Sequence, residues 1–191
     1  MSFLAPQIPR MEELYGRPDE AAFVQPVTPD EYERISRSMK NGRAHDITLY
    51  IKKESGYIFI AKHFYPPGLY RAPSGAAKPG EDFQDGARRE AREETGVDIE
   101  LVRYIMRINV RFENEAIHID WTSHIFLADY IKGDIEPRDK REIKEARLIY
   151  PGEMPGFAKK MRETKVGGLN YRAFLTEEVG KRLKHDKFPK T

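Results

Sequence analysis

The sequence predicts a mixed α/β (α+β) fold, and three observations carry that expectation. Ile47, Leu49 and Ile51 alternate with polar residues, as do Ile58 and Ile60 beyond Ser55-Gly56, the pattern of a β-hairpin. Two longer strand-like runs, 98–112 and 116–130, meet at a turn over Glu113-Asn114-Glu115. A segment rich in Ala, Arg and Glu, residues 82–95, has helical character and stops at Gly96. Interleaved strands and helices with an antiparallel hairpin define the class.

Taken in order, residues 1–27 carry Pro6, Pro9, Pro18 and Pro26 with few periodic apolar positions, and predict an extended arm docked on the domain or on a second subunit. Thr28-Pro29-Asp30-Glu31 is a capping box with Pro at the first helical position. Tyr32, Ile35 and Met39 follow at helical spacing, and Asn41-Gly42 ends the helix. Pro66-Pro67-Gly68 closes the hairpin, and Leu69–Ala72 leads into a Gly/Pro loop over 73–80. A polar loop, Lys132 to Arg141, precedes a last strand near 144–150. Helical patterns cover 157–163 and 176–185, the second capped at Thr176, and Lys181 to Lys190 reads as a solvated basic tail. The expected division is 1–42, an N-terminal arm and helix that helps form a homodimer, and 43–191, the main domain with a C-terminal helical extension.

Composition narrows the function classes. A chain of 191 residues buries about 70% of its unfolded surface as one domain and needs no disulfide staple. It has no Cys, which excludes disulfides, thiolate metal sites and cysteine nucleophiles. Lys+Arg 33 against Asp+Glu 31 gives +2, so no general attraction to nucleic acid or to a membrane is expected. No apolar run approaches the roughly 18 residues of a transmembrane helix, and Met1–Arg10 has no signal-peptide core. The expectation is a soluble, cytoplasmic, single-domain protein, with no function attached by composition alone.

The chemistry lies in residues 75–97, GAAKPGEDFQDGARREAREETGV. Glu90, Glu93 and Glu94 stand at i, i+3 and i+4 and share one helix face. Like charges at that spacing destabilise a helix. A hard divalent cation, Mg²⁺ or Mn²⁺, prefers oxygen ligands and offsets the repulsion, which points to phosphate-ester or phosphoanhydride chemistry. The bland alternative is a solvated acidic face paired with Arg88, Arg89 and Arg92. The full spacing decides between them. Gly75, Glu81, Arg89, Glu90, Ala91, Glu93, Glu94, Gly96 and Val97 follow G-x5-E-x7-R-E-U-x-E-E-x-G-U, with U aliphatic. Seven fixed positions match by chance roughly once in a million such chains.

This segment resembles the Nudix box, the signature of Nudix hydrolases; Ala91 stands where the family usually has a bulkier aliphatic residue. The resemblance is strict over the box and loose over about 45–150. It implies a loop–helix–loop motif in an α/β/α sandwich with a mixed sheet. It also implies Mg²⁺- or Mn²⁺-dependent hydrolysis of a nucleoside diphosphate linked to another moiety. By resemblance, Glu90, Glu93, Glu94 and the Gly75 carbonyl are metal ligands. Glu90, Glu94 and Arg89 are catalytic, with Glu90 the candidate general base. Glu81 and Arg89 orient the helix, and Gly96 ends it. A Nudix-fold sensor that binds nucleotides without turnover is the alternative, disfavoured by an intact box. The related isopentenyl-diphosphate isomerases employ a catalytic Cys, which this chain lacks.

Outside the box, Glu136, Asp139 and Glu142 are candidates for a further base or ligand, although Arg138, Lys140 and Arg141 alternate with them as in an ordinary charged loop. Tyr70 and Arg71, with Phe64 and Tyr65, are candidate substrate contacts, with core packing the alternative for each. His118, Asp120, Thr122 and His124 share one strand face, opposite a core face of Ile117, Ile119, Trp121 and Ile125. No Pro stands 15–16 residues beyond the box, as it does in the usual ADP-ribose subgroup, and no Ser-Gln-Pro-Trp follows, as in NADH pyrophosphatases. The upstream coenzyme A signature is also missing. Pro73-Ser74-Gly75 in place of the frequent Pro-Gly-Gly hints at nucleotide-sugar enzymes.

Overall fold

The computed structural model describes residues 5–39 and 42–184. Helix α1 (Ile8–Tyr15) and strand β1 (Asp19–Pro26) precede α2 (Pro29–Ser38). The hairpin β2 (His45–Lys53) and β3 (Gly56–Lys62) leads through a short β4 (Ser74–Gly75) into α3 (Phe83–Thr95). Strands β5 (Asp98–Asn114), β6 (Ile117–Lys132) and β7 (Ile143–Ile149) follow, then α4 (Met154–Glu163) and α5 (Gly167–Leu183).

The strands form one mixed sheet in the order β1-β5-β6-β2-β3-β7, with β4 paired to β2. Strands β5 and β6 are antiparallel, whereas β2 lies parallel to β6 with His45 opposite Thr122. Strand β2 is central and buried on both faces, which is why its Ile47, Leu49, Tyr50 and Ile51 form a nearly continuous apolar run. One face of the sheet is covered by α3 and α1, whose Phe83, Ala87, Ala91 and Met11 pack with Ile47, Leu49 and Phe126. The other is covered by α4 and α5 through Phe157, Met161, Tyr171 and Leu175, with Tyr32 and Ile35 of α2 and the following Met39 at its margin. The expected α/β/α sandwich is present, and Ala91 is fully buried beneath α3.

Several expectations need correction. Residues 8–15 and 19–26 are a helix and a strand rather than an extended arm. Strand β1 pairs parallel with β5 from Asp19 opposite Met106 to Pro26 opposite Glu113, so the sheet runs across residue 42. Alternation of Ala21 and Phe23 against exposed neighbours makes this short segment a strand. Helix α2 has the expected capping box but ends at Ser38, with Met39 as its C-cap; Asn41 lies outside the described residues. Helix α5 begins at Gly167, and Thr176 is no cap: it is buried in mid-helix and its hydroxyl donates to the Arg172 carbonyl at 2.8 Å. Ile117, expected in the core, is exposed at the hairpin tip. On the opposite face of β6 the strand passes under α3, so His118 and Asp120 are exposed while His124 is buried with its ring edge against Phe83. The basic tail beyond Lys184 lies outside the described residues.

Candidate active site

Helix α3 is framed at both ends by its own sequence. Asp82 caps its start by accepting from the Gln84 N–H at 2.9 Å. Gly96 ends it in the left-handed region at φ 84°, where a Cβ would lie 2.2 Å from the Glu136 carbonyl oxygen. Glycine is required there by conformation and by the close approach of the following loop.

Arg89 organises the acidic face. Its guanidinium donates to both oxygens of Glu81 (2.9 and 3.0 Å), to Glu90 Oε1 (2.8 Å), to Glu93 Oε2 (3.0 Å) and to the Ala76 carbonyl (2.8 Å). Repulsion among the carboxylates is thereby offset within the fold, and the hydrogen bonds from Arg89 hold the Glu81 carboxyl below its usual range. Glu81 also accepts from the Lys78 N–H at 2.8 Å, tying the preceding loop to the helix.

Gly75 sits directly under Glu90: a Cβ at Gly75 would fall 1.8 Å from the Glu90 carboxyl carbon. Glu90 Oε1 accepts from the Ala76 N–H at 3.2 Å, and Glu94 Oε2 accepts from the Ser74 N–H at 2.7 Å. Two carboxylates of α3 thus reach the strand–loop junction on either side of Gly75. Glu94 is 5% exposed, and burial pushes its carboxyl up to about 7 despite Arg71, Lys62 and the Ser74 N–H. Among the described residues, no three His, Asp or Glu side chains already converge on a metal position. The donor set around Gly75 is nevertheless all oxygen, which suits a hard divalent cation.

Of the other sequence candidates, Arg71 adjoins this cluster, and Glu136, Asp139 and Glu142 engage other partners. Glu142 pairs with Lys62, and Glu136 with Lys140. Asp139 accepts from the Arg141 N–H at 3.1 Å, while its own N–H donates to the Glu93 carbonyl at 3.0 Å. The loop therefore braces the end of α3 through its backbone. Tyr70 is buried against Phe157 and donates to Glu145 at 2.7 Å. Arg71 is buried beside the cluster, 3.8 Å from Glu94.

The sequence reading missed Arg172. This α5 side chain donates to Asp46, to Thr48 Oγ1 at 2.9 Å and to Ser74 Oγ at 3.1 Å. Asp46 is fully buried; burial works against its charge, but Arg172, Ser123 and Trp121 overcome that and lower its carboxyl to about 2. A lone Arg in a segment with no assigned element carries no signal of such a role.

A loop–helix–loop bearing an Arg-ordered carboxylate cluster, seated on a mixed sheet between helical layers, defines the class. The chain belongs to the NUDIX family, whose domain matches residues 41–166. It is 30% identical over 144 residues to "NAD-capped RNA hydrolase NudC" of Photobacterium profundum, covering 74% of this chain and 48% of that protein. It is 26% identical over 106 residues to "Oxidized purine nucleoside triphosphate hydrolase" of Mus musculus, covering 56% of this chain and 65% of that one. A NUDIX hydrolase from Nitrosomonas europaea shares the fold with a TM-score of 0.51 at 16% identity, over 73% of this chain and 90% of that one. The chain spans about half the length of the NudC relatives it matches.

Proposed function

We propose that the protein is a divalent-metal-dependent pyrophosphohydrolase. Its substrate is a nucleoside diphosphate linked to another moiety, of the nucleotide-sugar, dinucleotide or nucleoside triphosphate type. The observation that carries this reading is the ordering of Glu90 and Glu93 by Arg89, with Glu94 buried on the other side of Gly75. Similarity to hydrolases of nucleotide anhydrides supports the reaction class.

Glu90, Glu93, Glu94 and the Gly75 carbonyl are the groups that would hold Mg²⁺ or Mn²⁺. The bound cation would neutralise diphosphate charge and make water a better nucleophile. Arg89 and Glu81 keep the carboxylates on one side of α3, so that little reorganisation is needed on binding. Glu90 or Glu94 takes the proton of the attacking water. The water oxygen bonds to one phosphorus, the bridging P–O bond breaks, and the other phosphate departs with the electron pair.

We place the catalytic unit within 43–191 and the substrate among small-molecule nucleotides. No helix among the described residues is long and apolar enough to cross a membrane. The test is product release from a panel of nucleoside diphosphate derivatives with Mg²⁺, with Mn²⁺ and in EDTA. Metal-dependent cleavage of at least one member is expected. Tight binding of a panel member that is never cleaved with either metal would favour the sensor reading.

A further inference from the structure

A cavity of about 640 Å³ opens between α2, the connection following β3, and the start of α5. Its lining includes Arg34, Lys62, Phe64, Tyr65, Arg71 and Arg172. It adjoins the carboxylate cluster, because Arg71 faces both the cavity and Glu94. Its volume falls in the range of small-molecule sites.

Cationic side chains outnumber acids in the lining, with Asp46 and Glu94 lying behind Arg172 and Arg71. Glu31 is the acid of the lining, and both of its oxygens are already engaged, by the Thr28 N–H at 2.9 Å and the Gly167 N–H at 2.7 Å. Lys62 pairs with Glu142 at the surface. Arg34 is exposed and forms no ion pair or hydrogen bond among the described residues.

Deeper in, Arg71 and Arg172 donate to the same Ser74 hydroxyl oxygen, at 2.9 and 3.1 Å. Arg71 is held further by the Tyr65 hydroxyl at 2.8 Å and the Ala72 carbonyl at 2.7 Å. Each guanidinium also has a carboxylate beside it, Asp46 for Arg172 and Glu94 at 3.8 Å for Arg71; these hold two like charges side by side at the Ser74 oxygen, where an anion can bridge them. Their planar forks match phosphate oxygens. At the mouth, Phe64 is 75% exposed and meets Tyr65 edge to face, with centroids 4.9 Å apart. An exposed Phe in that place offers a flat apolar surface to a ring.

We propose that this cavity receives the group linked to the nucleoside diphosphate, with Arg71 and Arg172 holding the phosphate beside Glu94. Arg34 then favours substrates whose linked group carries an anionic substituent of its own. The proposal rests on the pyrophosphohydrolase reading for its orientation. It goes beyond that reading in assigning selectivity to α2 and α5, both outside the residues matched by the family.

The experiment measures equilibrium binding by calorimetry in EDTA, using the full chain and two matched ligand pairs. The pairs are UDP-glucose with UDP-glucuronate, and ADP-ribose with ADP-ribose 1″-phosphate; each differs by one anionic group on the moiety linked to the nucleoside diphosphate. The wild-type protein is expected to bind the more anionic member of at least one pair about tenfold more tightly, the effect of one added charge-assisted contact. Arg34→Glu, at an exposed position, should erase that preference. Arg172→Lys should weaken inorganic pyrophosphate and every nucleotide alike by about tenfold, because a point charge replaces the fork. Circular dichroism checks that each variant is folded. Equal wild-type affinity within both pairs, absence of binding included, overturns the proposal. So does a preference that survives Arg34→Glu. Turnover with Mg²⁺ is scored separately: a ligand that binds with this pattern and is not cleaved counts against hydrolysis and leaves the cavity assignment standing.

Discussion

The backbone N–H of Gly167 donates to Glu31 Oε1 at 2.7 Å, joining the first turn of α5 to α2 across 136 residues. The other oxygen of that carboxylate accepts from the Thr28 N–H and closes the capping box of α2. One side chain therefore serves the N-termini of two helices, and Val166, the N-cap of α5, makes no side-chain cap of its own. Glu31→Ala should cost about 2–3 kcal/mol in urea unfolding, more than a single lost cap, because two amides lose their partner. A loss confined to the range of one cap would show that water replaces the carboxylate at Gly167.

Gly75 and Glu90 occupy one space. In Gly75→Ala the new methyl must displace the flexible end of Glu90, so the expected change is in chemistry more than stability. We expect the melting temperature to move by only a few degrees while kcat at saturating Mg²⁺ falls about 100-fold or more. Steady-state kinetics beside a thermal melt would separate the two.

Arg89→Lys keeps a positive charge and loses the fork that reaches Glu81, Glu90, Glu93 and the Ala76 carbonyl. An ammonium cannot satisfy that set. A stability loss of about 1–2 kcal/mol is expected, with a fall in kcat of about 100-fold and a weaker apparent affinity for Mg²⁺ in metal titrations.

Glu94→Gln should abolish turnover without unfolding the chain. Burial raises the Glu94 carboxyl to about 7, so the metal-free folded state binds this proton more tightly than the unfolded state does. Its contribution to stability is then greatest below about pH 4.5 and declines as pH rises to 7. In EDTA at pH 8 the variant should gain up to about 2 kcal/mol over wild type, a gain that disappears near pH 4. For the wild-type protein, the proposed hydrolysis should speed up from pH 7 to 9 as the carboxylate and its water lose protons, with no activity remaining in EDTA. An acid optimum would remove the carboxylate cluster from the metal role.

His45 and His124 titrate in the opposite sense. Burial lowers His45 to about 4, against the pull of Asp46, and lowers His124 to about 3 with His45 adding to the effect. Both are neutral in the folded protein, so their contribution is present above pH 6.5 and is lost as pH falls towards 4. Measured in the Glu94→Gln background, unfolding free energy should drop by about 3 kcal/mol or more over that interval. A flat profile would mean that one of the imidazoles takes up its proton without opening the core.

Much of this arrangement is visible before folding. The box supplies Glu81, Arg89, Glu90 and Glu94 because their roles depend on spacing along one helix and one loop. Strands β2, β3, β5 and β6 follow from alternation and turn residues. Interactions between distant segments left no such trace. Helix α1 is short and has Pro9 as its second residue, so proline suggested an arm where it marks a first turn. The Gly167-Gly168 pair hid the start of α5, since the group that completes its cap is Glu31 in another helix. Arg172 was lost with that half-helix. Tyr70 was singled out for its neighbourhood in sequence, whereas its side chain turns to Glu145 and the core.

Strand β1 has a consequence for biosynthesis. Its partner is β5, so Asp19–Pro26 leaves the ribosome well before the residues from Met106 to Glu113 that it must pair with. The carboxylate of Glu31 waits longer still, until Gly167 is made. The first strand and the second helix are thus among the last pieces to be secured, and a nascent chain arrested before α5 should remain open to proteolysis within residues 19–38. Arrested chains ending before and after Gly167, treated with protease, would show whether protection arrives with that residue.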